Sequence, residues 1–427
     1  MDRNRKAAFS VLLKIEKNAA YSNIELNRLQ QKGGYEMPFI RELVYGTLKR
    51  KYLLDHYIGQ LAKNGADSIG RDVLILLRTG IYQIEFMDSV PDYAACDETC
   101  TIAKEAFHGK AGFVNGILRN FIRKRQELKG PDTIKDPVER LSVCYSAAPW
   151  IVRRFLEDCG AEQAEAVLKA SNETPELTLR VNTARTGRGQ LIEALEQAGI
   201  ACGACGLSQN VITAEGGNVT ETEAFRNGWF FIQDVSSAAA VEALAPEPGE
   251  TVVDVCAAPG GKTFSAACLM EGRGRIVSMD LHERKLKALE KQAARLGFDL
   301  IETEPRDARD PADALRGKAD RVICDAPCSG LGVLRKKPEI KYKDITDGGK
   351  GLADIQFGIL NASKAYLKPG GRLMYSTCTI SRIENGDVVR RFLRENKDCE
   401  IAEEKQFVTG EGGADGFYYC VMRSREG

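Results

Sequence analysis

Histidine is scarce in this chain, with three residues, His56, His108 and His282, among 427. So few disfavour a Ser-His-Asp or Cys-His relay and leave no histidine set for a tetrahedral metal site. Long apolar runs are missing as well. None approaches the ~18 residues that a membrane span needs. The basic start, Met1 to Lys6, runs into an interrupted amphipathic pattern instead of the continuous apolar core of a signal peptide. A cytosolic (cytoplasmic) protein with no membrane association is expected. Net charge is also absent, with 60 Lys+Arg against 60 Asp+Glu. What remains, 43% hydrophobic and 28% charged residues, is the composition of an ordinary globular protein, and the length predicts two to four domains.

The zero charge hides a polarised chain. Residues 1–130 carry 21 basic and 15 acidic residues, and residues 131–427 carry 39 basic and 45 acidic ones. Thirteen cysteines are plentiful, and in an intracellular enzyme most should be reduced core residues. Cys202 and Cys205 alone have the C-x-x-C spacing, with no second pair beside them, so no metal is expected.

The first stretch reads as helices. Ala8, Val11, Leu12 and Ile15 recur at helical spacing, and Asp72-Val-Leu-Ile-Leu-Leu and Phe113-Val-Asn-Gly-Ile-Leu continue apolar stripes. Basic residues gather at Arg3, Arg5 and Lys6, at Lys49-Arg50-Lys51, and at Arg119, Arg123, Lys124 and Arg125. Each alone reads as a solvated helix face. Together they suggest an RNA- or protein-docking surface. Pro131 and Pro137 mark a linker, after which strand and helix alternate: Leu177-Thr-Leu-Arg-Val-Asn and Asn210-Val-Ile-Thr read as strands around a helix over Gln190 to Ala198. The expected domains are a helical one over 1–130, a small α/β module over 145–228 and a catalytic α/β domain over 229–427.

In the last domain Thr251-Val-Val, Arg275-Ile-Val-Ser-Met, Arg321-Val-Ile-Cys and Arg372-Leu-Met-Tyr-Ser are short apolar strands, each followed by a helical segment. Such βαβ order predicts a doubly wound parallel sheet, whose ligands bind outside the carboxyl ends of the strands. Asp254-Val-Cys-Ala-Ala-Pro-Gly-Gly-Lys-Thr, Asp280, Asp325-Ala-Pro-Cys-Ser-Gly and Thr377-Cys-Thr follow the four strands, so three aspartates and two cysteines should converge on one crevice. Gly260 and Gly261 are expected to let the backbone approach a ligand. Asp280, at the end of the next strand, is placed to accept hydrogen bonds from two ribose hydroxyls. Gly261-Lys262-Thr263 matches the end of a P-loop, but that motif's first glycine would fall on Cys256. The G-x-G-x-x-G order of dinucleotide sites is missing too, so a ribose-containing cofactor without a phosphate cradle, S-adenosylmethionine, fits better. Cys328 and Cys378, just beyond strand ends, are poorly explained as packing and suit a thiolate nucleophile. The residues alone leave open which of them attacks.

Asp254-Val-Cys-Ala-Ala-Pro-Gly-Gly-Lys-Thr, Asp325-Ala-Pro-Cys-Ser-Gly-Leu-Gly-Val-Leu-Arg-Lys-Lys-Pro-Glu-Ile and Tyr375-Ser-Thr-Cys-Thr resemble the RNA cytosine-C5 methyltransferases, and among them the Sun/Fmu (RsmB) enzymes of small-subunit ribosomal RNA. Phe39-Ile-Arg-Glu-Leu-Val-Tyr-Gly and Phe113-Val-Asn-Gly-Ile-Leu-Arg-Asn look like that family's NusB-like helical domain. Leu179-Arg-Val-Asn looks like the start of its small RNA-binding module, and Asp415-Gly-Phe-Tyr like its last strand. Ser146-Ala-Ala-Pro-Trp stands where relatives often have Ser-His-Pro-x-Trp.

The resemblance implies a Rossmann-like catalytic domain and 16S ribosomal RNA as partner, with a monomer expected. By the same resemblance Cys256, Ala257, Ala258, Pro259, Gly260, Gly261 and Lys262 would surround the methionine and sulfonium part of S-adenosylmethionine. Asp280 would hold the ribose, Asp307 the adenine side, and Asp325 both cofactor and target base. Cys378 would be the nucleophile and Cys328 the second cysteine, needed for product release. Arg335, Lys336, Lys337 and Lys341, just after the Asp325 motif, are expected to contact RNA phosphates. A transfer-RNA substrate is the alternative within the class, and a non-catalytic ribosome-assembly factor the alternative outside it.

Overall fold

The computed structural model describes residues 2–343 and 349–425. It divides into two compact units, one of Met1–Glu173 with Leu334–Asp344, the other of Thr174–Val333 with Ile345–Gly427.

The first unit is helical. Its central helix, Arg71–Phe86, is buried at every position from Val73 to Ile84, so the helices Arg3–Asn18, Met37–Lys49, Asp92–Ala106 and Ala111–Lys124 can pack around it. Local chemistry sets the helix starts. Asp2 accepts from the Asn4 and Arg5 backbone N–H groups, and Asp136 caps the Pro137–Tyr145 helix, where Pro137 supplies a fixed φ at the first turn. Arg78 is buried on the central helix and is offset by charge, since Asp55 meets its guanidinium at 2.6 and 2.8 Å and Glu16 at 3.0 Å.

Residues 334–343 form a strap in this helical unit, with a short turn over Pro338–Tyr342. Glu339 accepts from the Ser22 N–H (3.2 Å) and hydroxyl (2.8 Å). Lys341 is 0% exposed and donates from Nζ to Asn172 Oδ1 at 2.7 Å and to the Tyr145 carbonyl at 3.2 Å. The Tyr342 hydroxyl donates to the Leu48 carbonyl, and the Trp150 indole N–H to the Lys343 carbonyl. Expected phosphate contact therefore fails for Lys341, and for Arg335, which is 5% exposed. Packing takes both out of solvent. Of the basic clusters, Lys49 is buried and donates to the Glu173 carbonyl, and Lys51 pairs with Glu16 at 2.8 Å. Arg119, Arg123 and Lys124 stay exposed.

The second unit opens with a four-stranded antiparallel sheet in the order β2-β3-β1-β4, from β1 (Leu177–Val181), β2 (Ala201–Ala204), β3 (Val211–Glu215) and β4 (Phe230–Ile232), with the helix Arg188–Gln197 burying Leu191 and Leu195. A seven-stranded sheet follows, built from β5 (Thr251–Asp254), β6 (Arg275–Asp280), β7 (Ile301–Pro305), β8 (Ala319–Asp325), β9 (Leu367–Thr377), β10 (Cys399–Phe407) and β11 (Phe417–Ser424). Its order is β10-β11-β9-β8-β5-β6-β7. Strands β5 to β9 pair in parallel as the apolar runs predict, while β11 lies antiparallel between β9 and β10, so the sheet is mixed.

Both faces are covered, and alternate residues of a strand serve opposite cores. Val252, Ile276, Ile323, Met374 and Val421 pack with the Val235–Leu244 and Gly261–Leu269 helices. Val253, Val277, Val322, Leu373 and Cys420 pack with the Lys350–Ser363 and Gly386–Glu395 helices. The strand order reverses between β5 and β8, and there the carboxyl ends open a crevice.

Candidate active site at the strand ends

A cavity of about 430 Å³ lies at those carboxyl ends. Among the predicted residues, Cys256, Ala258, Asp280, Asp307, Asp325, Cys328 and Cys378 line it. Ala257, Pro259, Gly260, Gly261 and Lys262 are outside its lining.

Asp280 closes β6, and its Oδ1 accepts from the His282 N–H at 2.9 Å, with Lys285 Nζ 4.0 Å away from the same oxygen. Asp307 is gripped by Arg309, whose Nη2 and Nε reach its two oxygens at 2.6 and 3.0 Å, and these charge-assisted bonds hold its carboxyl down at about 2. Asp325 ends β8, with Lys262 Nζ 2.7 Å from its Oδ2 and the Ser376 hydroxyl donating to Oδ1 at 2.8 Å. Lys262 thus reaches the site through Asp325.

In the turn after β5, packing within the protein itself constrains one of the two glycines. Gly260 has φ +111°, and a Cβ there would lie 2.5 Å from the Phe264 ring, so its backbone angle and the packing of Phe264 exclude a side chain. A Cβ at Gly261 would meet nothing nearer than Gln233 at 3.5 Å. Behind the turn, Asp254 is fully buried. Its Oδ2 accepts from Thr263 at 2.7 Å while Oδ1 has no hydrogen-bond partner among the described residues, and burial pushes its carboxyl up to about 7.

The two predicted thiols meet. Cys328 Sγ and Cys378 Sγ are 3.2 Å apart, are not joined in a disulfide, and belong to partly exposed residues. The hydrogen bond with Cys378, followed by burial, pushes the Cys328 thiol well above the ordinary cysteine value. The loops that carry them are pinned to each other, because the Gly332 N–H donates to the Cys378 carbonyl at 3.0 Å, and the Gly332 carbonyl accepts from the Gly416 N–H at 2.9 Å and Thr409 Oγ1 at 3.2 Å.

Sequence reasoning missed several lining residues. Leu281 and Ile355 are apolar yet 65% and 43% exposed at the cavity, where a flat base would cover them. Leu281 directly follows Asp280, which is a signal that could have been read. Ile355 comes from a helix with no local motif. Together the apolar pair, the Asp280 carboxylate at the end of its strand and the lack of a phosphate cradle fit an adenosyl group attached to a small charged tail.

A doubly wound sheet of this order, with an acid at the end of β6 and a cavity over the β5 turn, defines an S-adenosylmethionine-dependent methyltransferase, here with a pair of thiols on the cavity wall. Residues 241–420 match the family described as 16S rRNA methyltransferase RsmB/F, residues 2–123 the NusB family, and residues 148–220 the ferredoxin-like domain of RsmF/B-like methyltransferases. The chain is 37% identical to the probable ribosomal RNA small subunit methyltransferase B of Bacillus subtilis over 99% of this chain and 98% of that one. It is 34% identical to ribosomal RNA small subunit methyltransferase B of Pseudomonas putida over 90% of this chain and 89% of that one. The chain belongs to the RsmB/F family of 16S rRNA methyltransferases. In fold it is similar to the solved structure of PH0851, with a TM-score of 0.83 at 24% identity over 98% of each chain. It is also similar to NSun6 from Pyrococcus horikoshii, with a TM-score of 0.60 at 21% identity over 65% of this chain and 98% of that one.

Proposed function

We propose that this enzyme methylates carbon 5 of a cytosine in 16S ribosomal RNA, with Cys378 as nucleophile, Cys328 as the release thiol and Asp325 as the group facing the base. The observation that carries the two-thiol reading is the 3.2 Å separation of the two sulfurs on the wall of the cofactor cavity, beside Asp325, and the division of roles between them follows the resemblance of Tyr375-Ser-Thr-Cys-Thr to the family's nucleophile motif.

Carbon 5 of cytosine is too weak a nucleophile to be methylated directly. Addition of the Cys378 thiolate to carbon 6 forms a C–S bond and shifts the double-bond electrons toward carbon 5. Asp280, Asp307 and the Cys256–Lys262 turn would hold S-adenosylmethionine, whose sulfonium would supply an electrophilic methyl group. Asp325, if it carries a proton near N3, would donate to that nitrogen and stabilise the charge developing on the ring. Once carbon 5 is methylated, its proton passes to a base, the C–S bond breaks with its electron pair returning to sulfur, and the double bond is restored. Either sulfur can donate across the 3.2 Å contact, and in this reading Cys328 keeps its proton while Cys378 acts as the thiolate, the roles the family resemblance assigns them. The same proton on Cys328 is then available to the departing Cys378 sulfur.

The base must be out of its stack to reach this crevice, which favours a loop or bulge in folded RNA. A second cleft, of about 570 Å³ in the helical unit, is lined by Arg3, Lys6 and Lys32 with Tyr35, and by Lys14 and Arg28, both of which pair with Glu25 in the same lining; its basic side chains would be the ones to meet RNA phosphates. No helix among the described residues is long and apolar enough to cross a membrane, and among them no group of three or more His, Cys, Asp or Glu could hold a metal ion. The reading takes the enzyme to be a cytoplasmic monomer.

Methyl transfer to 16S ribosomal RNA by single variants tests the roles. Cys378→Ala abolishes turnover and forms no covalent RNA adduct, whereas Cys328→Ala accumulates the adduct. A fully active Cys378→Ala enzyme refutes the assignment.

A further inference from the structure

Each thiol is followed by a hydroxyl residue, Ser329 after Cys328 and Thr379 after Cys378, and Glu384 gathers both loops. Glu384 is 2% exposed. Its Oε2 accepts from the Ser329 N–H at 2.8 Å and its Oε1 from the Ser329 hydroxyl at 2.6 Å, while Ser329 Oγ also lies 3.0 Å from Thr379 Oγ1. Gln356, fully buried, donates from Nε2 both to Glu384 Oε2 at 3.0 Å and to the Pro327 carbonyl at 2.9 Å. The two neighbours of Cys328 in the chain, Pro327 and Ser329, are therefore tied to one carboxylate. That carboxylate rides on the other cysteine's loop, where its own carbonyl accepts from the buried Tyr375 hydroxyl at 2.6 Å and its N–H donates to the Ser381 carbonyl at 3.1 Å.

We propose that Glu384 is a positioning residue for the two-thiol centre: by clamping both neighbours of Cys328 to the loop of Cys378, it holds the release thiol against the nucleophile and governs how fast the covalent RNA adduct is resolved. The inference rests on the roles given to the two cysteines above. Glu384 is outside the cavity lining and touches neither thiol by a hydrogen bond, so its influence passes through backbone placement. Its negative charge acts in the same direction, since it helps keep the proton on Cys328. Adduct formation needs only Cys378 and the base, but release needs the two sulfurs in register. Loosening the clamp should therefore separate the two steps.

The test follows covalent adduct and methyl transfer in parallel, with the full-length enzyme, 16S ribosomal RNA and S-adenosylmethionine. In Glu384→Ala, adduct accumulates as in Cys328→Ala, kcat falls roughly 100-fold, as expected for a misplacement of about 1 Å, and KM for S-adenosylmethionine stays within about twofold of wild type. Glu384→Gln keeps one oxygen for the Ser329 N–H and Gln356 and turns its amide nitrogen toward Ser329 Oγ, so it recovers most of the lost turnover and clears the adduct. Ser329→Ala removes only the hydroxyl link and traps adduct to a smaller extent, which decides the matter should Glu384→Ala fail to fold. Equal loss of adduct formation and turnover in Glu384→Ala, failure of Glu384→Gln to rescue, or no trapping in Ser329→Ala overturns the clamp. Adduct in Cys328→Ala without adduct in Glu384→Ala overturns the clamp alone. Absence of adduct in Cys328→Ala overturns the two-thiol reading and the clamp with it.

Discussion

Replacing Gly332 by alanine introduces one methyl group at the point where the chain after β8 crosses the loop of Cys378. A Cβ there would lie 1.9 Å from the Gly416 carbonyl oxygen, 2.5 Å from its carbon and 2.9 Å from the Cys378 carbonyl oxygen. The obstacles are backbone atoms, which cannot rotate aside as a side-chain tip can, so the strands of chain must part by about 1 Å to reach the 3.0 Å that real Cβ contacts keep. Parting them threatens two backbone hydrogen bonds, from Gly332 to Cys378 and from Gly416 to Gly332. At about 1 kcal/mol for each bond and 1–3 kcal/mol for overpacking, the loss is roughly 3–5 kcal/mol. For a unit of this size that is a fall in Tm of roughly 10 °C. Because the shift falls on the carbonyl of Cys378 itself, methyl transfer should drop roughly 100-fold even well below the melting transition. Calorimetry and single-turnover methyl transfer measure the two effects. Gly116→Ala is the control, since that glycine lies within the Ala111–Lys124 helix with nothing inside 4 Å of an added Cβ. There the same change should stabilise by about 1 kcal/mol. A Gly332→Ala enzyme with wild-type melting and wild-type turnover refutes the reasoning.

Two further expectations concern buried charge. The Asp254 carboxyl, raised to about 7 by burial, holds its proton in the folded protein over a range in which the unfolded chain has already released it. Stability contributed by this group is therefore full below about pH 4 and is lost as pH rises to about 7, by up to ~4 kcal/mol, and Asp254→Asn removes that slope from urea-unfolding curves measured between those limits. In the helical unit, Lys341→Ala leaves the Asn172 Oδ1 and Tyr145 carbonyl without their donor and opens a cavity. A loss of about 3 kcal/mol is expected by chemical denaturation, with Lys341→Met, which keeps most of the volume, losing less.

The parallel strands were legible because each is buried on both faces and reads as a short apolar run, such as Val252-Val253 or Val322-Ile323-Cys324. β10 was not, since every residue between Cys399 and Phe407 is exposed and the stretch is rich in glutamate, with no period-2 pattern to find. In the site, Asp280, Asp325, Cys328 and Cys378 could be read because topology sends strand ends to one place. Glu384, Gly332 and Lys341 could not. Glu384 acts through partners 28 and 55 residues away, Gly332 packs against loops that come from elsewhere in the chain, and Lys341 acts through partners 169 and 196 residues away. Lys341 also sits in a lysine-rich run that locally resembles any solvated loop. Gly260 also has a reason that local sequence did not show, because a Cβ there would meet Phe264 in the following helix turn.

The strap over residues 334–343 bears on the order in which the protein can be made. The helices of the first 173 residues leave the ribosome long before the segment that carries Glu339 and Lys341 is synthesised. Until then Ser22 and Asn172 have lost no water to those side chains, and the groove they line is open to solvent. The helical unit is thus completed only after most of the catalytic sheet has been translated up to β8, and a fragment ending at Glu173 would carry an unfilled, polar-lined seam where the native unit has a buried lysine and glutamate. A domain boundary drawn along the chain would cut this unit in two, so any expressed fragment that is to keep it whole must span the chain from Asp2 through Lys343.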